Sequence, residues 1–195
     1  MENNLIFIFI IVCYLFASIP FGLILMKFLY KIDITKEGSG NYGATNIFRV
    51  SNNKKIGLIT LLFDGCKALL PCCFIKFYYH DQFLLAITGL FAIIGHIFPI
   101  YNKFKGGKGV ATFLGFLLVF DFSIAINTIM TWVLTFQYKR MSSLSSIASI
   151  TLSIISVCIY YKLDIIIIYL AIYSVIMYKH RDNIIRLFKG RENKF

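Results

Sequence analysis

The sequence LIFIFIIVCYLFASIPFGLILMKFLY, residues 5–30, contains only one charged side chain, that of Lys27. A helix of about 20 apolar residues crosses the hydrocarbon core of a bilayer, so this stretch predicts a membrane span. The residues before it include Glu2 but no lysine or arginine. We therefore expect a retained span here and not a cleaved signal peptide, which would begin with a basic region.

Six further apolar stretches follow this first span. The whole chain is 58% hydrophobic with a mean hydropathy of +0.77, which exceeds what the core of a soluble domain holds. We therefore predict an all-α polytopic membrane protein with seven transmembrane helices, forming a single integral membrane domain over residues 1–195. The six stretches are 56–77, 83–100, 110–120, 122–138, 147–161 and 165–178. The stretch 110–120 is the shortest of them.

The distribution of basic residues predicts the orientation in the membrane. Of the 20 lysines and arginines, 17 lie in the segments 27–55, 103–108 and 139–140 and in the tail from residue 179. Positive residues favour the cytoplasmic side, which places the N-terminus outside and the C-terminus in the cytoplasm. The net charge of +11 then reflects topology and attraction to anionic membrane lipid. We do not expect nucleic acid as a partner.

The glycine-rich and polar stretches fall in the same cytoplasmic segments. Four segments on one side of the membrane favour a single site with its face toward the cytoplasm. Their sequences are DITKEGSGNYGATNIFR (33–49), GHIFPIYNKFKGGKGVAT (95–112), YKRMSSLSSI (138–147) and HRDNIIRLFKGRENK (180–194).

Two glycine-rich loops in these segments suit a phosphate group. Residues 38–41 and 106–109 can turn backbone amides toward an anion, and Arg49 and Lys108 supply cations. Their spacing matches neither the Walker A motif nor the dinucleotide-binding fingerprint. Turn geometry alone would explain either loop taken singly, but two such loops with cations on one face predict a site for a phosphorylated ligand.

Other polar residues allow two interpretations each. His180 and Asn183 lie one turn apart on one helical face, either at the site or as interfacial polar residues. The serines at 142–146 contribute to the site or simply begin a helix.

Asp64 and Lys67 lie within a span, where charges are costly, and we expect them to pair. The five cysteines are expected to be small apolar residues in the spans, and no metal site is expected.

Together these motifs resemble the acyl-phosphate-dependent glycerol-3-phosphate acyltransferases of bacteria, the PlsY type. The resemblance covers nearly the whole chain, and its departures are Tyr42 for a frequent proline, Ala68 for a usual glycine, and the turn at 51–53. The shared motifs are SIPFG (18–22), GSGNYGATNIFR (38–49), TLLFDGCKALLP (60–71), GHIFPIYNKFKGGKGVAT, SSLSSI (142–147) and HRDNIIRLFKGRENK.

The resemblance implies an enzyme of phospholipid biosynthesis in the bacterial cytoplasmic (inner) membrane. Its partners would be acyl phosphate and glycerol 3-phosphate, and acyl transfer to the 1-hydroxyl would give lysophosphatidic acid and phosphate. It implies no cofactor and no direct use of acyl-CoA or acyl carrier protein.

The resemblance also implies the site residues. Those carried over as catalytic are Ser39, Arg49, Lys108, Ser143, His180 and Asn183. Those carried over as substrate-binding are Gly40, Asn41, Thr45, Asn46, Gly106, Gly107, Gly109 and Ser146, where Ser146 is the alternative to Ser143 as the serine of the third segment.

The chemistry favours direct attack by the glycerol hydroxyl. Acyl phosphate is already activated, and the H-x-x-x-x-D motif of other acyltransferases is absent after each of the three histidines. A substrate phosphate oxygen is the preferred proton acceptor, with His180 as the alternative.

Two other functions stay open at this point: transport of a phosphorylated metabolite, and a membrane transferase with a different lipid donor. Acyl-chain preference and oligomeric state have no signal in the sequence.

Overall fold

The protein is described here from a computed structural model, which covers residues 2–194. These residues form nine α-helices and two short 3-10 helices, and no strand occurs among them. The α-helices are α1 (Glu2–Ala17), α2 (Phe21–Tyr30), α3 (Ala44–Ser51), α4 (Lys54–Tyr78), α5 (Gln82–Ile97), α6 (Val110–Phe120), α7 (Phe122–Lys139), α8 (Ser142–Tyr160) and α9 (Leu163–Phe188). The 3-10 helices are Ile34–Lys36 and Ile100–Asn102.

Five helical segments of the described chain are long and apolar enough to cross a membrane. They are Asn4–Tyr30, Lys54–Tyr78, Gln82–Asn102, Ser142–Tyr160 and Leu163–Phe188. The predicted spans at 110–120 and 122–138 are the helices α6 and α7. The 11 residues of α6 extend only about 16 Å, and α7 is more polar, so length and composition alone do not identify either as a crossing.

The first predicted span is helical but broken. Pro20 has no amide hydrogen and restricts the conformation of Ile19 before it, so α1 ends at Ala17 and α2 begins at Phe21. Within α2, Gly22 lies so close to the loop after it that an added Cβ would be 2.0 Å from the Tyr42 carbonyl oxygen. A small apolar cluster of Met26, Ile34, Tyr42 and Ile47 completes this contact. The break therefore lets α2 hold the 33–49 loop in place.

Helix α4 packs closely on α6. An added Cβ on Gly115 would lie 2.1 Å from the carbonyl oxygen of Gly65, so the two backbones nearly touch there. Small residues permit such approach between membrane helices. The aromatic rings of Phe113, Phe116 and Tyr169 fill the space between α6 and α9. This packing fixes the N-terminal end of α6 beside α4.

The helices α8 and α9 extend beyond their predicted limits. α8 begins at Ser142, five residues before the predicted start, and Ser145 donates both its amide and its hydroxyl to the Met141 carbonyl. α9 continues from the predicted end at residue 178 to Phe188. Hydropathy marks the apolar part of a helix, whereas backbone hydrogen bonds continue past it. As a result, the serines at 142–146 and the polar residues from His180 to Arg186 lie on helices.

Candidate active site

A cavity of about 430 Å³ lies where α3, α4, α5, α6, α7, α8 and α9 meet. It brings together eleven of the fourteen residues that the sequence predicts for the site. They are Ser39, Asn41, Thr45, Asn46, Arg49, Lys108, Gly109, Ser143, Ser146, His180 and Asn183. The four sequence segments therefore do meet at one place, while the contact of each residue with a substrate stays a prediction.

The buried side chain of Asn46 fixes the shape of the first loop. Its Oδ1 accepts a hydrogen bond from the Ser39 amide at 2.9 Å, and its Nδ2 donates to the Glu37 carbonyl at 3.0 Å. Gly38 has φ 58°, and a Cβ there would lie 2.3 Å from Asn46 Oδ1. Because both ends of the Asn46 amide are engaged, its role in this structure is to hold Ser39 at the cavity.

Lys108 lies at the N-terminal end of α6. The next three residues, Gly109, Val110 and Ala111, also line the cavity. Gly109 is the N-cap, with φ 82°, and no side chain of the described chain caps this end of α6. The first amides of a helix carry partial positive charge. A cation and a helix N-terminus therefore face the same cavity, an arrangement that suits an anion.

Burial lowers the pKa of the Lys108 ammonium to about 8, although Glu192 nearby favours the charged form. Arg186 and Arg49 act in the same direction as burial, since both are positive. An anionic ligand would offset this repulsion between cations. The protonation state of Lys108 therefore depends on whether a phosphate group is bound.

Three predicted glycines do not line the cavity. Gly40 turns the first loop, with φ 69° and its amide donated to the Glu37 carbonyl. Gly106 and Gly107 lie against the end of α5: an added Cβ would be 2.2 Å from the His96 carbonyl oxygen and 2.0 Å from His96 Nε2, respectively. Their small size permits close approach to another part of the chain. Substrate binding by these three residues stays a prediction.

Glu192, a residue that the sequence did not single out, joins the third and fourth segments. Ser143 Oγ and Asn183 Nδ2 each donate to its Oε1 at 2.8 Å, and Arg186 Nε donates to its Oε2 at 2.9 Å. Burial raises the pKa of Glu192, but the hydrogen bonds from Asn183, Ser143 and Arg186 outweigh it and hold the pKa below its ordinary value. The carboxylate thus stays ionised and orients Ser143 and Asn183.

His180 is buried in the cavity wall with a defined tautomer. Its Nδ1 lies 2.9 Å from the Ile176 carbonyl oxygen. Since a carbonyl oxygen only accepts, Nδ1 carries the hydrogen, and Nε2 of the neutral ring is left as an acceptor. His180 can therefore accept a hydrogen bond from a substrate hydroxyl.

The serines of α8 connect the cavity walls. Ser142 Oγ lies 3.3 Å from Thr45 Oγ1 of α3. Ser146 accepts a hydrogen bond at 3.1 Å from the indole of Trp132 on α7 and donates to the Ser142 carbonyl. Both Ser143 and Ser146 line the cavity, so each alternative from the sequence stays open.

The cavity also has an apolar wall, which the sequence did not identify. It is built by side chains of α4, α6 and α7, and part of it opens to the exterior, since Leu61 and Val133 are 41% and 40% exposed. A hydrocarbon chain matches such a wall, while phosphate matches the polar part. The apolar residues are Leu61, Val110, Ala111, Leu114, Ile129 and Val133.

Two buried polar residues of the spans, Asp64 and His96, line the cavity as well. Asp64 Oδ1 pairs with Lys67 Nζ at 2.8 Å, which confirms the predicted intramembrane pair. The intramembrane charges were the signal for Asp64, whereas His96 had no comparable signal. Among residues 2–194, no group of three or more histidine, cysteine or carboxylate side chains is arranged to hold a metal ion.

Known proteins are similar to this chain over most of its length. Residues 7–190 match the family model for glycerol-3-phosphate acyltransferase. A glycerol-3-phosphate acyltransferase of Ehrlichia ruminantium (strain Gardel) is 44% identical over 184 residues, covering 94% of this chain and 93% of the relative. One of Pelagibacter ubique (strain HTCC1062) is 43% identical over 181 residues, covering 93% of each chain.

Two solved structures share the fold. The crystal structure of PlsY, an integral membrane glycerol 3-phosphate acyltransferase, in its glycerol 3-phosphate form is 36% identical with a TM-score of 0.91, covering 97% of this chain and 95% of that one. Its lysophosphatidic acid form is 35% identical with a TM-score of 0.88 and the same coverage. The chain therefore belongs to the PlsY-type glycerol-3-phosphate acyltransferase family, as an integral membrane acyltransferase enzyme of phospholipid synthesis.

Proposed function

We propose that the protein transfers an acyl group from acyl phosphate to the 1-hydroxyl of glycerol 3-phosphate, giving lysophosphatidic acid and phosphate. The observation that carries this proposal is one cavity with both a cationic polar part and an apolar wall. Acyl phosphate needs both, because its anionic head and hydrocarbon chain are covalently joined. The glycerol 3-phosphate and lysophosphatidic acid forms of PlsY support the same acceptor and product.

The reaction is direct attack in a single cavity. The glycerol oxygen bonds to the acyl carbon, the bond from that carbon to the phosphate oxygen breaks, and phosphate leaves. The hydroxyl proton goes to a substrate phosphate oxygen. No enzyme nucleophile is required, because phosphate is a good leaving group. Holding two reactants in contact can lower a barrier by roughly 7–11 kcal/mol.

The residues of the site then act mainly by binding the charged groups of the substrates and by positioning the substrates for reaction. Lys108 and the N-terminal amides of α6 bind one phosphate group, and Arg49 of α3 with Ser39 of the preceding loop binds a substrate phosphate from the other side. Ser143 and Asn183 bind a phosphate oxygen or substrate hydroxyl in the orientation that Glu192 sets. The His180 Nε2 accepts a hydrogen bond from the glycerol backbone and orients it. Bringing two anions together requires this concentration of cations.

The proposal includes the membrane topology: seven crossings, with the N-terminus outside and the active site facing the cytoplasm of a bacterial inner membrane. The location of 17 of the 20 basic residues supports it. This orientation is the same whether or not α6 and α7 cross the membrane. A pair that crosses twice and a pair that does not cross both leave the basic segments 103–108 and 139–140 on the same side.

The acyl-donor assignment is tested with purified protein in detergent. Phosphate release is followed with palmitoyl phosphate and glycerol 3-phosphate, with palmitoyl-CoA as the alternative donor. We expect release of phosphate and formation of lysophosphatidic acid only when acyl phosphate and acceptor are both present. Transfer from palmitoyl-CoA with none from palmitoyl phosphate would contradict the proposed donor.

The proton acceptor is tested with His180→Gln, which keeps hydrogen-bonding groups but cannot act as a base near neutral pH. If substrate phosphate accepts the proton, we expect a moderate rise in KM and a retained pH profile of kcat. A large fall in kcat with unchanged KM and a lost pH dependence would assign the proton to His180.

A further inference from the structure

We propose that the buried cluster of Asp64, Lys67 and His96 positions the loop that carries Lys108. This inference rests on the proposed function in one respect, namely that Lys108 binds a substrate phosphate. The three residues act through the loop and are positioning residues. Asp64 and His96 line the cavity, whereas Lys67 is buried and does not line it.

The cluster joins α4 to the end of α5 by close polar contacts. Lys67 Nζ lies 2.8 Å from Asp64 Oδ1 and 3.2 Å from His96 Nδ1, and His96 Nδ1 lies 3.5 Å from Asp64 Oδ1. The side chains are no more than 3% exposed. The Lys67 ammonium, which can only donate, therefore lies within hydrogen-bonding distance of both the Asp64 carboxylate and the His96 ring. These contacts hold the imidazole in one orientation.

His96 transmits this orientation to the loop before Lys108. The Gly107 amide donates to the His96 carbonyl at 3.2 Å. The ring lies directly against Gly107, since an added Cβ would be only 2.0 Å from Nε2. Gly107 immediately precedes Lys108, so a change in the ring position would displace the backbone that carries the ammonium group.

Two further contacts hold the chain around Lys108, one to the main chain of Asp64 and one from Tyr42. Thr112 Oγ1, in the first turn of α6, donates to the Asp64 carbonyl at 2.9 Å. Tyr42 packs its ring edge against His96 and donates its hydroxyl to the Lys105 carbonyl at 3.1 Å. The backbone is thus attached to this region at residues 105, 107 and 112.

The location of the charges favours a positioning role over simple stabilisation. Charged side chains inside a membrane span are costly and are normally functional, and apolar residues can often replace a buried ion pair without loss of stability. An apolar cluster would not hold an imidazole in one orientation, because packing forces lack direction. Hydrogen bonds and an ion pair supply that direction.

The test is the double variant Asp64→Asn with Lys67→Met, which removes both charges and so avoids an uncompensated buried ion. We expect it to purify as a folded protein, with a KM at least tenfold higher for one or both phosphorylated substrates. Loss of folded protein alone would lower kcat, through a smaller active fraction, and would leave KM unchanged. The matched control, Lys76→Met, makes the same change about two and a half turns further along α4, away from the cavity, and should keep the wild-type KM.

A second pair of variants keeps the proposal testable if the double variant does not fold. Gly107→Ala should raise KM in the wild-type background, because its Cβ meets His96 Nε2. In a His96→Ala background the ring is gone, so the same glycine change should raise KM little further. Equal effects of Gly107→Ala in both backgrounds would overturn the proposal.

Lys108→Ala distinguishes this proposal from the function on which it rests. If Lys108→Ala raises KM and the Asp64→Asn, Lys67→Met variant keeps the wild-type values, the positioning role is wrong while the phosphate role of Lys108 stands. If Lys108→Ala itself leaves both KM values unchanged, the phosphate role fails, and the positioning proposal fails with it.

Discussion

Asn183 on α9 donates a hydrogen bond to the carboxylate of Glu192 at 2.8 Å, across the turn that ends the helix. Gly190 makes this possible, because its φ of 64° reverses the chain and returns the tail to the cavity. The tail therefore completes the wall that α8 and α9 begin.

This relationship predicts that Glu192→Ala impairs both stability and activity. Ser143 and Asn183 would lose their shared acceptor, and Arg186 its ion pair. We expect the free energy of unfolding to fall by about 1–3 kcal/mol and kcat/KM to fall with it. Thermal unfolding in detergent and the phosphate-release assay measure the two effects.

Two variants sharpen the test of Glu192. Glu192→Gln keeps an acceptor for Ser143 and Asn183 but loses the charge, so its activity should lie between those of wild type and Glu192→Ala. The control Asp182→Ala removes an exposed carboxylate of α9 and should change stability by less than about 0.5 kcal/mol. Wild-type behaviour of Glu192→Ala would show that the carboxylate does not organise the site.

A second prediction concerns pH and Lys108, whose pKa burial lowers to about 8. The ammonium is charged below this pH and neutral above it, so phosphate binding weakens as the pH rises. We expect the KM of the substrate that Lys108 binds to rise by up to about tenfold between about pH 7 and about pH 9. Initial-rate measurements across this range give the profile.

Lys108→Arg supplies the control for this profile, since a guanidinium stays charged throughout the range. Its KM need not equal that of wild type, but the rise above about pH 8 should disappear. If the rise persists in Lys108→Arg, another group titrates.

A third prediction concerns the close crossing of α4 and α6. Gly115→Ala would place a Cβ 2.1 Å from the Gly65 carbonyl oxygen, so the helices would have to separate. We expect a loss of about 1–3 kcal/mol in unfolding free energy. Gly65→Ala is the matched control: its Cβ meets only the Ala111 carbonyl oxygen, at an ordinary 3.6 Å, and thermal unfolding should show little change. Equal destabilisation by both variants would contradict the close crossing.

The sequence predicted which segments form the site because charge and hydropathy are local properties. The basic residues grouped four segments together, and Asp64 and Lys67 stood out as charges in an apolar span. Both the meeting of the segments and the ion pair are present in the structure. These features need no knowledge of which helices touch.

The features that the sequence did not predict depend on tertiary contacts. A glycine pattern predicts close approach but not the approaching group, which for Gly107 is His96 in this structure. Glu192 was not singled out, since nothing in the local sequence shows that the chain returns to the cavity. Hydropathy likewise missed the break at Pro20, because both sides of the break are equally apolar.

The last prediction concerns the apolar wall and acyl-chain binding. Val133→Trp adds bulk where α7 lines the cavity, so we expect a higher KM for palmitoyl phosphate, a smaller rise for octanoyl phosphate, and an unchanged KM for glycerol 3-phosphate. Leu134→Trp is the matched control, because Leu134 is the next residue of α7, is 61% exposed and does not line the cavity. If the two variants have equal effects on palmitoyl phosphate, or if Val133→Trp affects both chain lengths equally, this wall does not hold the acyl chain.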